Sequence, residues 1–154
     1  MRKTLAKGGQ QGFTLIELVV VIVILGILAA TALPRFANLQ SNSRIAAMNG
    51  LVGALNSAAS IAHAQALVSS QTGATGTIAM DGAASVTLAN GYPDGTATGI
   101  GLAVNTSGFT ATYASGTATY NFPTAITGCN VTYQAAAANG SPTVTFTNTG
   151  GNSC

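Results

Sequence analysis

Carboxylate, histidine and cysteine side chains, which could act as acids, bases or metal ligands, are few in this chain and are scattered along it. The 154 residues include five Lys or Arg, three Asp or Glu and one His. The candidate groups are Glu17, His63, Asp81, Asp94, Cys129 and Cys154. General acid–base catalysis needs partners within hydrogen-bond reach, and a calcium site needs several carboxylates. We therefore expect no catalytic residue, no metal ligand and no cofactor, and an enzyme is the poorest fit.

Other motifs that could bind a ligand are weak or missing. The sequence has no phosphate-binding loop and no nucleotide fingerprint. His63 lies in a polar helical stripe, so a solvated or locally hydrogen-bonded side chain is the simpler interpretation. No Lys or Arg follows Arg44, which argues against nucleic-acid binding because phosphate recognition needs clustered cations. Sugar binding stays open, since neutral side chains suit it. Triplets starting at Asn105, Asn130 and Asn139 match the N-glycosylation pattern, which is common in Asn- and Thr-rich chains.

Glu17 stands out because it is the one charge in a long apolar run. Residues 13–33 number 21, and a helix of this length spans roughly 30 Å, the thickness of the hydrocarbon core of a bilayer. An unpaired carboxylate there costs about 2.5 to 3.5 kcal/mol. Two interpretations follow. Either Glu17 lies near a helix end and reaches the headgroups, or another chain supplies a cationic partner.

A short basic segment precedes the apolar run and contains Arg2, Lys3 and Lys7 but no acid. Basic residues before an apolar run hold that end in the cytoplasm. An ordinary secretory signal has its cleavage site after the apolar region. Cleavage at the Gly12-Phe13 junction would instead remove the charged leader alone and leave the apolar helix on the mature protein.

The residues around this junction carry a family resemblance. Residues 12–17 read GFTLIE, and this motif followed by an apolar run resembles the processing site of type IV pilins and type II secretion pseudopilins. The stretches ILGILAATALPRFANLQ, RIAAMNGL and NGYPDGTATGI resemble the mannose-sensitive haemagglutinin branch of type IV pilins. The strong resemblance covers about residues 8–60, and beyond them it is a general pattern.

The resemblance implies a processing step and an assembly contact. A membrane enzyme, the prepilin peptidase, would cut after Gly12 and methylate the new amino terminus at Phe13. The positive α-amine of Phe13 would then be the cationic partner of Glu17 during assembly. The resemblance also implies that the helix loosens around Gly26 and Pro34 when the subunit packs into a filament. A static kink at Pro34, which lacks an N–H, is the alternative.

By resemblance, the protein is a structural subunit that polymerises with copies of itself into an extracellular pilus for attachment to cells or surfaces. Before assembly it would lie in the inner membrane, with its N-terminus cytoplasmic and its head periplasmic. Further partners would be the inner-membrane assembly platform and the outer-membrane secretin, with a surface glycan as candidate receptor. The alternatives are a minor pilin, a type II secretion pseudopilin and a sugar-binding pilus-associated adhesin. The scarcity of acids in the head counts against the major pseudopilin, whose family tends to use a calcium site.

The helical pattern resumes after residue 44, and breakers predict its end near residues 69–73. One helix face carries Ile45, Met48, Val52, Leu55, Ala59, Ala62 and Ala66. The polar stripe is narrow, so we expect the globular domain and neighbouring subunits to cover the helix from two sides. Short runs rich in Thr, Val, Ile, Tyr and Phe, separated by Gly, Asn, Pro and Ser, predict strands near Thr77–Met80, Ser85–Leu88, Ile100–Val104, Phe109–Ala114, Thr117–Phe122, Val131–Ala135 and Thr143–Thr147. Three of these runs, FTATYA, TATYNF and TVTFT, clearly alternate apolar and polar residues.

These elements predict an α+β fold, in which a long N-terminal helix with a membrane-embedded first half packs on an antiparallel β-sheet head. The expected domains are a cleaved leader at 1–12, the transmembrane assembly half of the helix at 13–34, its amphipathic half at 35–70 and a β-rich head at 71–154. The head is almost free of charge, which suits a subunit that packs against copies of itself.

Two cysteines in an exported domain predict one disulfide. A bond between Cys129 and Cys154 would close a loop of 26 residues, worth about 3.5 kcal/mol by the chain-entropy estimate. By resemblance, this loop is the disulfide-bounded C-terminal region of pilins, which contributes to the exposed surface of the filament.

Overall fold

The computed structural model describes residues 12–80, 85–149 and 154. Contacts divide the chain into two compact units, one up to Leu39 and one from Gln40 onward. An α-helix, α1, runs from Leu15 to Val68 and belongs to both units. Outside the described residues lie Arg2, Lys3 and Lys7 of the predicted leader, and Asp81.

In the first unit, α1 is exposed on every side. The large apolar side chains between Leu15 and Leu28 all have at least 42% of their surface exposed. By length and composition the segment Leu15–Leu33 could cross a membrane, and none of its residues is buried. A helix satisfies its own backbone hydrogen bonds, so its side chains alone determine whether water, lipid or protein can surround it. Side chains that are apolar all round must be covered by lipid or by other helices.

The second unit contains the rest of α1, a second short helix and two antiparallel sheets. The first sheet has the strand order β1-β2-β3 and the second has the order β4-β5-β6-β7, so strands adjacent in sequence are hydrogen-bonded neighbours. Short connections allow this antiparallel pattern. The elements are β1 Thr75–Ile78, β2 Val86–Ala89, β3 Tyr92–Pro93, α2 Ile100–Ala103, β4 Thr110–Ala114, β5 Thr117–Asn121, β6 Cys129–Gln134 and β7 Thr143–Asn148.

The core of the second unit forms where α1 meets the two sheets. One cluster joins Met48 and Leu55 of α1 to Tyr120 and Tyr133 of the second sheet. A second cluster joins Ala62 and Ala66 of α1 to the apolar side chains of β1 and β2. The predicted core-facing stripe of α1 is confirmed, since five of its seven residues are buried and the other two are half-buried. The α+β fold, with a long helix packed on antiparallel sheets, is confirmed with it.

The second sheet has one face in the core and one face outside. Along β5 the burial alternates residue by residue, with Tyr120 on the inner face. The strand register aligns Thr112, Thr119, Thr132 and Thr145 in one row across all four strands. All four are at least partly exposed, so neutral hydroxyl groups cover the outer face. The polar surface of this sheet is therefore built without charge.

The predicted strand at Ile100–Val104 is wrong, because this segment contains α2. Its N–H groups bond to carbonyls that precede it in the chain and not to a neighbouring strand. Ile100 donates to the Asp94 carbonyl at 2.9 Å, and Ala103 donates to the Gly99 carbonyl at 3.2 Å. The other six predicted strands are confirmed, with ends displaced by at most two residues.

The end of α1 and the short strand β3 are two further features in which the structure adds to the sequence prediction. Helix α1 ends at Val68, immediately before the predicted range, and Ser70 follows with a left-handed φ of 55°. Strand β3, at Tyr92–Pro93, was not predicted, because it has two residues and one of them is proline. Proline cannot donate to a strand ladder, but it is tolerated on an edge strand such as this one.

Candidate processing and assembly site

Glu17 lies in the first turn of α1 and is paired with the residue that precedes the helix. Thr14 donates two hydrogen bonds to Oε2 of Glu17, from its backbone N at 2.9 Å and from its Oγ1 at 2.6 Å. In return, the backbone N of Glu17 donates to Thr14 Oγ1 at 3.3 Å. This reciprocal pair is a capping box, which satisfies N–H groups that a helix N-terminus leaves without intrahelical partners.

The capping box gives Glu17 a role that the sequence analysis missed. The signal was available, since Thr-x-x-Glu before an apolar run is the pattern of a capping box. The carboxylate also lies at the positive end of the helix dipole, which favours a negative charge. Glu17 therefore has local hydrogen-bond partners within a single chain, before any second chain contributes a cation.

The surface around Glu17 is apolar and open. Phe13 has 93% of its surface exposed. Glu17 borders a hollow of about 400 Å³ that is also lined by Phe13, Leu18 and Val21, and a second hollow of about 280 Å³ lies on the neighbouring face of the helix. One carboxylate among hydrocarbon side chains is suited to packing and charge pairing.

Gly26 and Pro34 both lie within continuous helix. A Cβ placed on Gly26 would have no atom within 4 Å, so no contact among the described residues requires a glycine there. Loosening or kinking of the helix at these two positions stays a prediction.

The expected disulfide is present and closes the end of the chain against the core. The sulfur atoms of Cys129 and Cys154 are bonded at 1.99 Å, and both side chains are buried. Arg44 of α1 donates from Nη1 to the Cys154 carbonyl at 3.1 Å. The sequence analysis had no signal for this contact, because the two residues are 110 positions apart. Arg44 and the disulfide together hold residue 154 in place.

His63 has a structural partner 28 positions away in the chain, where the sequence analysis expected a solvated or locally hydrogen-bonded side chain. Its Nδ1 lies 2.8 Å from the Gly91 carbonyl, which can only accept, so Nδ1 carries the proton. The imidazole stacks on the ring of Tyr92, with centroids 3.9 Å apart and planes 3° from parallel. Among the described residues, no group of three or more His, Cys, Asp or Glu side chains is placed to hold a metal ion. His63 thus fastens α1 to the turn before β3.

Asp94 orders the loop that follows β3. Its Oδ1 accepts hydrogen bonds from the hydroxyl of Thr96 and from the Thr96 backbone N, the latter at 3.1 Å. Beside it in sequence, the Pro93 carbonyl accepts a hydrogen bond from the Tyr133 hydroxyl at 2.7 Å. Burial raises the pKa of Tyr133 above its usual range, and the charge of Asp94 raises it further. A buried hydroxyl that keeps its proton and already has an acceptor is a structural group.

The three asparagines of the N-glycosylation triplets lie in different environments. Asn105 and Asn139 are exposed, whereas Asn130 is half-buried in β6. The side-chain oxygen of Asn105 accepts a hydrogen bond from the Ser107 backbone N at 3.0 Å.

Residues 7–33 match the family model described as the prokaryotic N-terminal methylation motif. The type IV narrow pilus major component PilA5 of Thermus thermophilus is 50% identical over 56 residues, which are 36% of this chain and 48% of that protein. A fimbrial protein of Pseudomonas aeruginosa is 42% identical over 65 residues, 41% of this chain and 42% of the relative. The type IV major fimbrial protein FimA of Dichelobacter nodosus is 42% identical over 52 residues, 34% of this chain and 33% of the relative.

These similarities cover less than half the length of each relative. No solved structure matches the chain. The matched motif contains the Gly12-Phe13 junction, Glu17 and the exposed half of α1. The methylation motif and the relatives show that the N-terminal part of this chain is similar to type IV pilins.

Proposed function

We propose that the chain is the structural subunit of a type IV pilus. The observation that carries this proposal is the exposed apolar helix Leu15–Leu33, which directly follows the Gly12-Phe13 junction. A contiguous apolar surface of this size is not kept in water by a monomeric protein. Lipid can cover it before assembly and the helices of other subunits can cover it afterwards. A membrane-held subunit that polymerises into an extracellular filament satisfies both conditions.

The proposed processing step is cleavage after Gly12 by a prepilin peptidase, followed by N-methylation of Phe13. Both residues are exposed and precede α1, which supports access of a peptidase to the bond between them. Cleavage creates a positive α-amine four residues before Glu17. In the filament, Glu17 of one subunit would meet the Phe13 amine of its neighbour. Their attraction is about 4 kcal/mol at 4 Å for an effective dielectric of 20.

The capping box and the proposed charge pair are compatible. Both hydrogen bonds from Thr14 go to Oε2 of Glu17. Oε1 has no hydrogen-bond partner within the part of the chain that the structure describes, so it is free to accept a bond from the amine of a second subunit. The cap would hold the carboxylate at the helix start while the neighbouring amine neutralises it.

The same proposal assigns the parts of the chain and their locations. Residues 1–12 are the cleaved leader, 13–34 the transmembrane and assembly half of the helix, 35–70 its amphipathic half and 71–154 the head. Before assembly the N-terminus is cytoplasmic and the head is periplasmic, in contact with the assembly platform and then the secretin. The helix loosens near Gly26 and Pro34 during assembly. The protein performs no catalysis and needs no cofactor.

The finer identity that we propose is a pilin of the mannose-sensitive haemagglutinin branch, whose filament attaches to cells or surfaces. The uncharged threonine row of the second sheet supports contact with neutral partners, since it can donate and accept hydrogen bonds without attracting ions. A surface glycan is therefore the candidate receptor.

Mass spectrometry of filaments sheared from the cell surface tests the proposal. We expect this chain as an abundant component, beginning at Phe13 with a methylated amine. A strain with Gly12→Val should accumulate the uncleaved chain in the membrane, because a branched side chain crowds the scissile bond. Cleavage after Ala29 or Ala30 would instead show a conventional secreted protein. Presence at trace level beside another abundant pilin would assign a minor role.

A further inference from the structure

The chain contains three Asn-Gly pairs, at Asn49, Asn90 and Asn139. Glycine has no side chain, so its backbone N can approach the side-chain amide of the preceding asparagine more closely than any other residue allows. We propose that Asn139 is a site of spontaneous deamidation, and that tertiary structure protects the other two pairs.

The reaction needs no enzyme and no reagent except water. The backbone N of Gly140 attacks Cγ of Asn139, a C–N bond forms, and the side-chain nitrogen leaves as ammonia. The resulting five-membered succinimide is opened by water at either carbonyl. The products are aspartate, or isoaspartate with one extra methylene in the main chain. Either product replaces a neutral amide by a carboxylate.

Asn139 lies in the exposed connection between β6 and β7, where little holds the reacting atoms apart. Residues 137–141 are all exposed, and Asn139 adopts a left-handed φ of 58°. Its side chain has no hydrogen-bond partner in the described structure. The attacking group, Gly140 N, makes one local bond to the Ala137 carbonyl at 3.0 Å. Opening that bond disturbs no core residue, so the loop can reach the reactive geometry by local motion.

Asn90 is also followed by glycine, but its side chain and its backbone N are both hydrogen-bonded to other segments. Its Nδ2 donates to the Ala136 carbonyl at 2.9 Å, and its backbone N donates to the Ala74 carbonyl at 3.3 Å. Gly91 is buried, and its carbonyl accepts the hydrogen bond from His63. Attack at Asn90 therefore requires release of contacts that join three segments of the head.

Asn49 is protected by secondary structure. It lies in the interior of α1, where the N–H of Gly50 is engaged in the helical hydrogen-bond ladder. Leu51, two residues after Asn49, belongs to the core of the second unit. Attack here requires local unfolding of a packed helix, which is a far rarer opening than motion of a surface loop.

The modification would change the charge of a surface that has almost none. The ionised side chains in the described part of the second unit, Arg44 and Asp94, are both half-buried. A carboxylate at position 139 would thus be the first fully exposed charge among those residues. If the chain forms a filament, as proposed above, every modified subunit adds one negative charge, and the filament surface becomes more anionic with age.

The site is tested on the full chain in detergent micelles, incubated at mildly alkaline pH and analysed by peptide mapping over time. Asn139 should convert at least about tenfold faster than Asn49 or Asn90, because the other two wait for larger openings. In concentrated urea the three rates should converge, since their sequence contexts are alike. Equal rates in the native protein, or faster loss of Asn49 or Asn90, would overturn the proposal.

Gly140→Ala provides a matched variant. The added methyl would lie 3.4 Å from the Ala137 carbonyl, and no left-handed φ opposes alanine there, so the fold should be kept. It should slow conversion of Asn139 several-fold and leave the other two pairs unchanged. Wild-type conversion in this variant would show that the missing side chain at position 140 does not set the rate, and would overturn the proposed reason for the reactivity of Asn139.

The filament consequence rests on the proposed function and is measured separately. Aged wild-type filaments should migrate further toward the anode than fresh ones, and filaments of Gly140→Ala should not change. Failure to obtain filaments would count against the proposed function and leave the micelle result standing. Conversion of Asn139 in filaments without a mobility change would overturn the charging of the surface but not the chemistry.

Discussion

The two halves of α1 differ in hydropathy, with means of 2.8 for Leu15–Leu33 and 1.3 for Leu39–Val68, and they differ in their surroundings. Both Leu15–Leu33 and Leu39–Val68 are long and apolar enough to span a membrane by length and composition. None of the first segment is buried, whereas 33% of the second is buried inside the chain. The second segment alternates apolar and polar faces, and the first is apolar on all faces. Apolar content and periodicity together determine whether a helix is covered by its own chain or by lipid and other helices.

The polar groups of the two halves differ in the same way. In the first half, the charged group is Glu17, held by Thr14 one turn away. In the second half, Arg44 and His63 bond to carbonyls of distant segments, at Cys154 and Gly91. Local pairing leaves a helix free to find new partners, while long-range pairing fixes it to one fold. The first half is thus suited to exchange between lipid and filament, and the second is suited to anchor the head.

The largest expected effect concerns assembly through the first half. Glu17→Gln should leave export, cleavage after Gly12 and membrane insertion intact but reduce filament yield. Loss of even a third of the roughly 4 kcal/mol charge attraction lowers the assembly equilibrium about tenfold. The measurement compares mature subunit in the membrane with subunit in the sheared fraction.

Thr14→Val is the matched control for that experiment. It removes the hydroxyl of the capping box and keeps the carboxylate. If Glu17 acts by charge pairing, Thr14→Val should assemble better than Glu17→Gln. Reduced yield in Thr14→Val at wild-type yield in Glu17→Gln would show that the cap, which glutamine can also form, is the essential function. Wild-type yield in both variants would remove both roles.

Substitution of Gly95 in the head and of Gly26 in the first half of α1 tests the comparison through the stability of the head. A Cβ at Gly95 would clash with the Gly116 carbonyl oxygen, whereas a Cβ at Gly26 meets nothing within 4 Å. Gly95→Ala should lower the free energy of unfolding of the head by roughly 3 kcal/mol or more, because two backbone segments must separate. Gly26→Ala should leave it unchanged, as read by urea titration of the full chain in micelles. A stable Gly95→Ala head would contradict the close approach of these segments.

Two leucines extend the test to side-chain packing. Leu55 is fully buried in the head core, and Leu25 has 57% of its surface exposed in the first half. Leu55→Ala should cost about 2 to 5 kcal/mol of unfolding free energy through lost burial and a cavity. Leu25→Ala should cost the head nothing measurable and should show its effect in filament yield. A comparable loss of head stability in both variants would break the distinction between the two halves.

The smallest effects come from the two buried tyrosines of the head. Tyr133→Phe removes the hydrogen bond to Pro93 and should cost about 1 kcal/mol of unfolding free energy. Tyr120→Phe should be neutral or slightly stabilising, because the Tyr120 hydroxyl is buried without a hydrogen-bond partner in the described structure. Thermal or urea unfolding of the two variants side by side gives the comparison, and a larger cost for Tyr120→Phe would refute it.

The same tyrosines predict an alkaline limit of stability. Burial raises the pKa of both Tyr120 and Tyr133, so the folded head holds these protons more tightly than the unfolded chain. Their contribution is therefore fully present below the unfolded value of about 10 and is lost as the pH rises above it. The urea midpoint should fall above about pH 10, and less steeply in Tyr120→Phe. A midpoint that stays level there would show that neither hydroxyl is buried in solution.

Features set by neighbouring residues were readable from the sequence. The apolar run, the core stripe of α1 and six of the seven predicted strands follow from local periodicity, which is a property of side chains a few positions apart. The Thr14–Glu17 cap belongs to the same class and was missed although its pattern is local. The disulfide was also predictable, because two cysteines allow one intramolecular pairing.

Features that depend on residues far apart in the chain were decided by the tertiary structure alone. Arg44 binds the Cys154 carbonyl and Gly95 packs against Gly116, and neither contact can be predicted from the residues nearby in sequence. The same holds for α2, whose apolar residues read as a strand until the loop carbonyls before them supply helical partners. Asn49, Asn90 and Asn139 show most plainly what the local sequence cannot predict. Identical dipeptides acquire different reactivity because folding fixes the backbone and hydrogen-bond partners of each one separately.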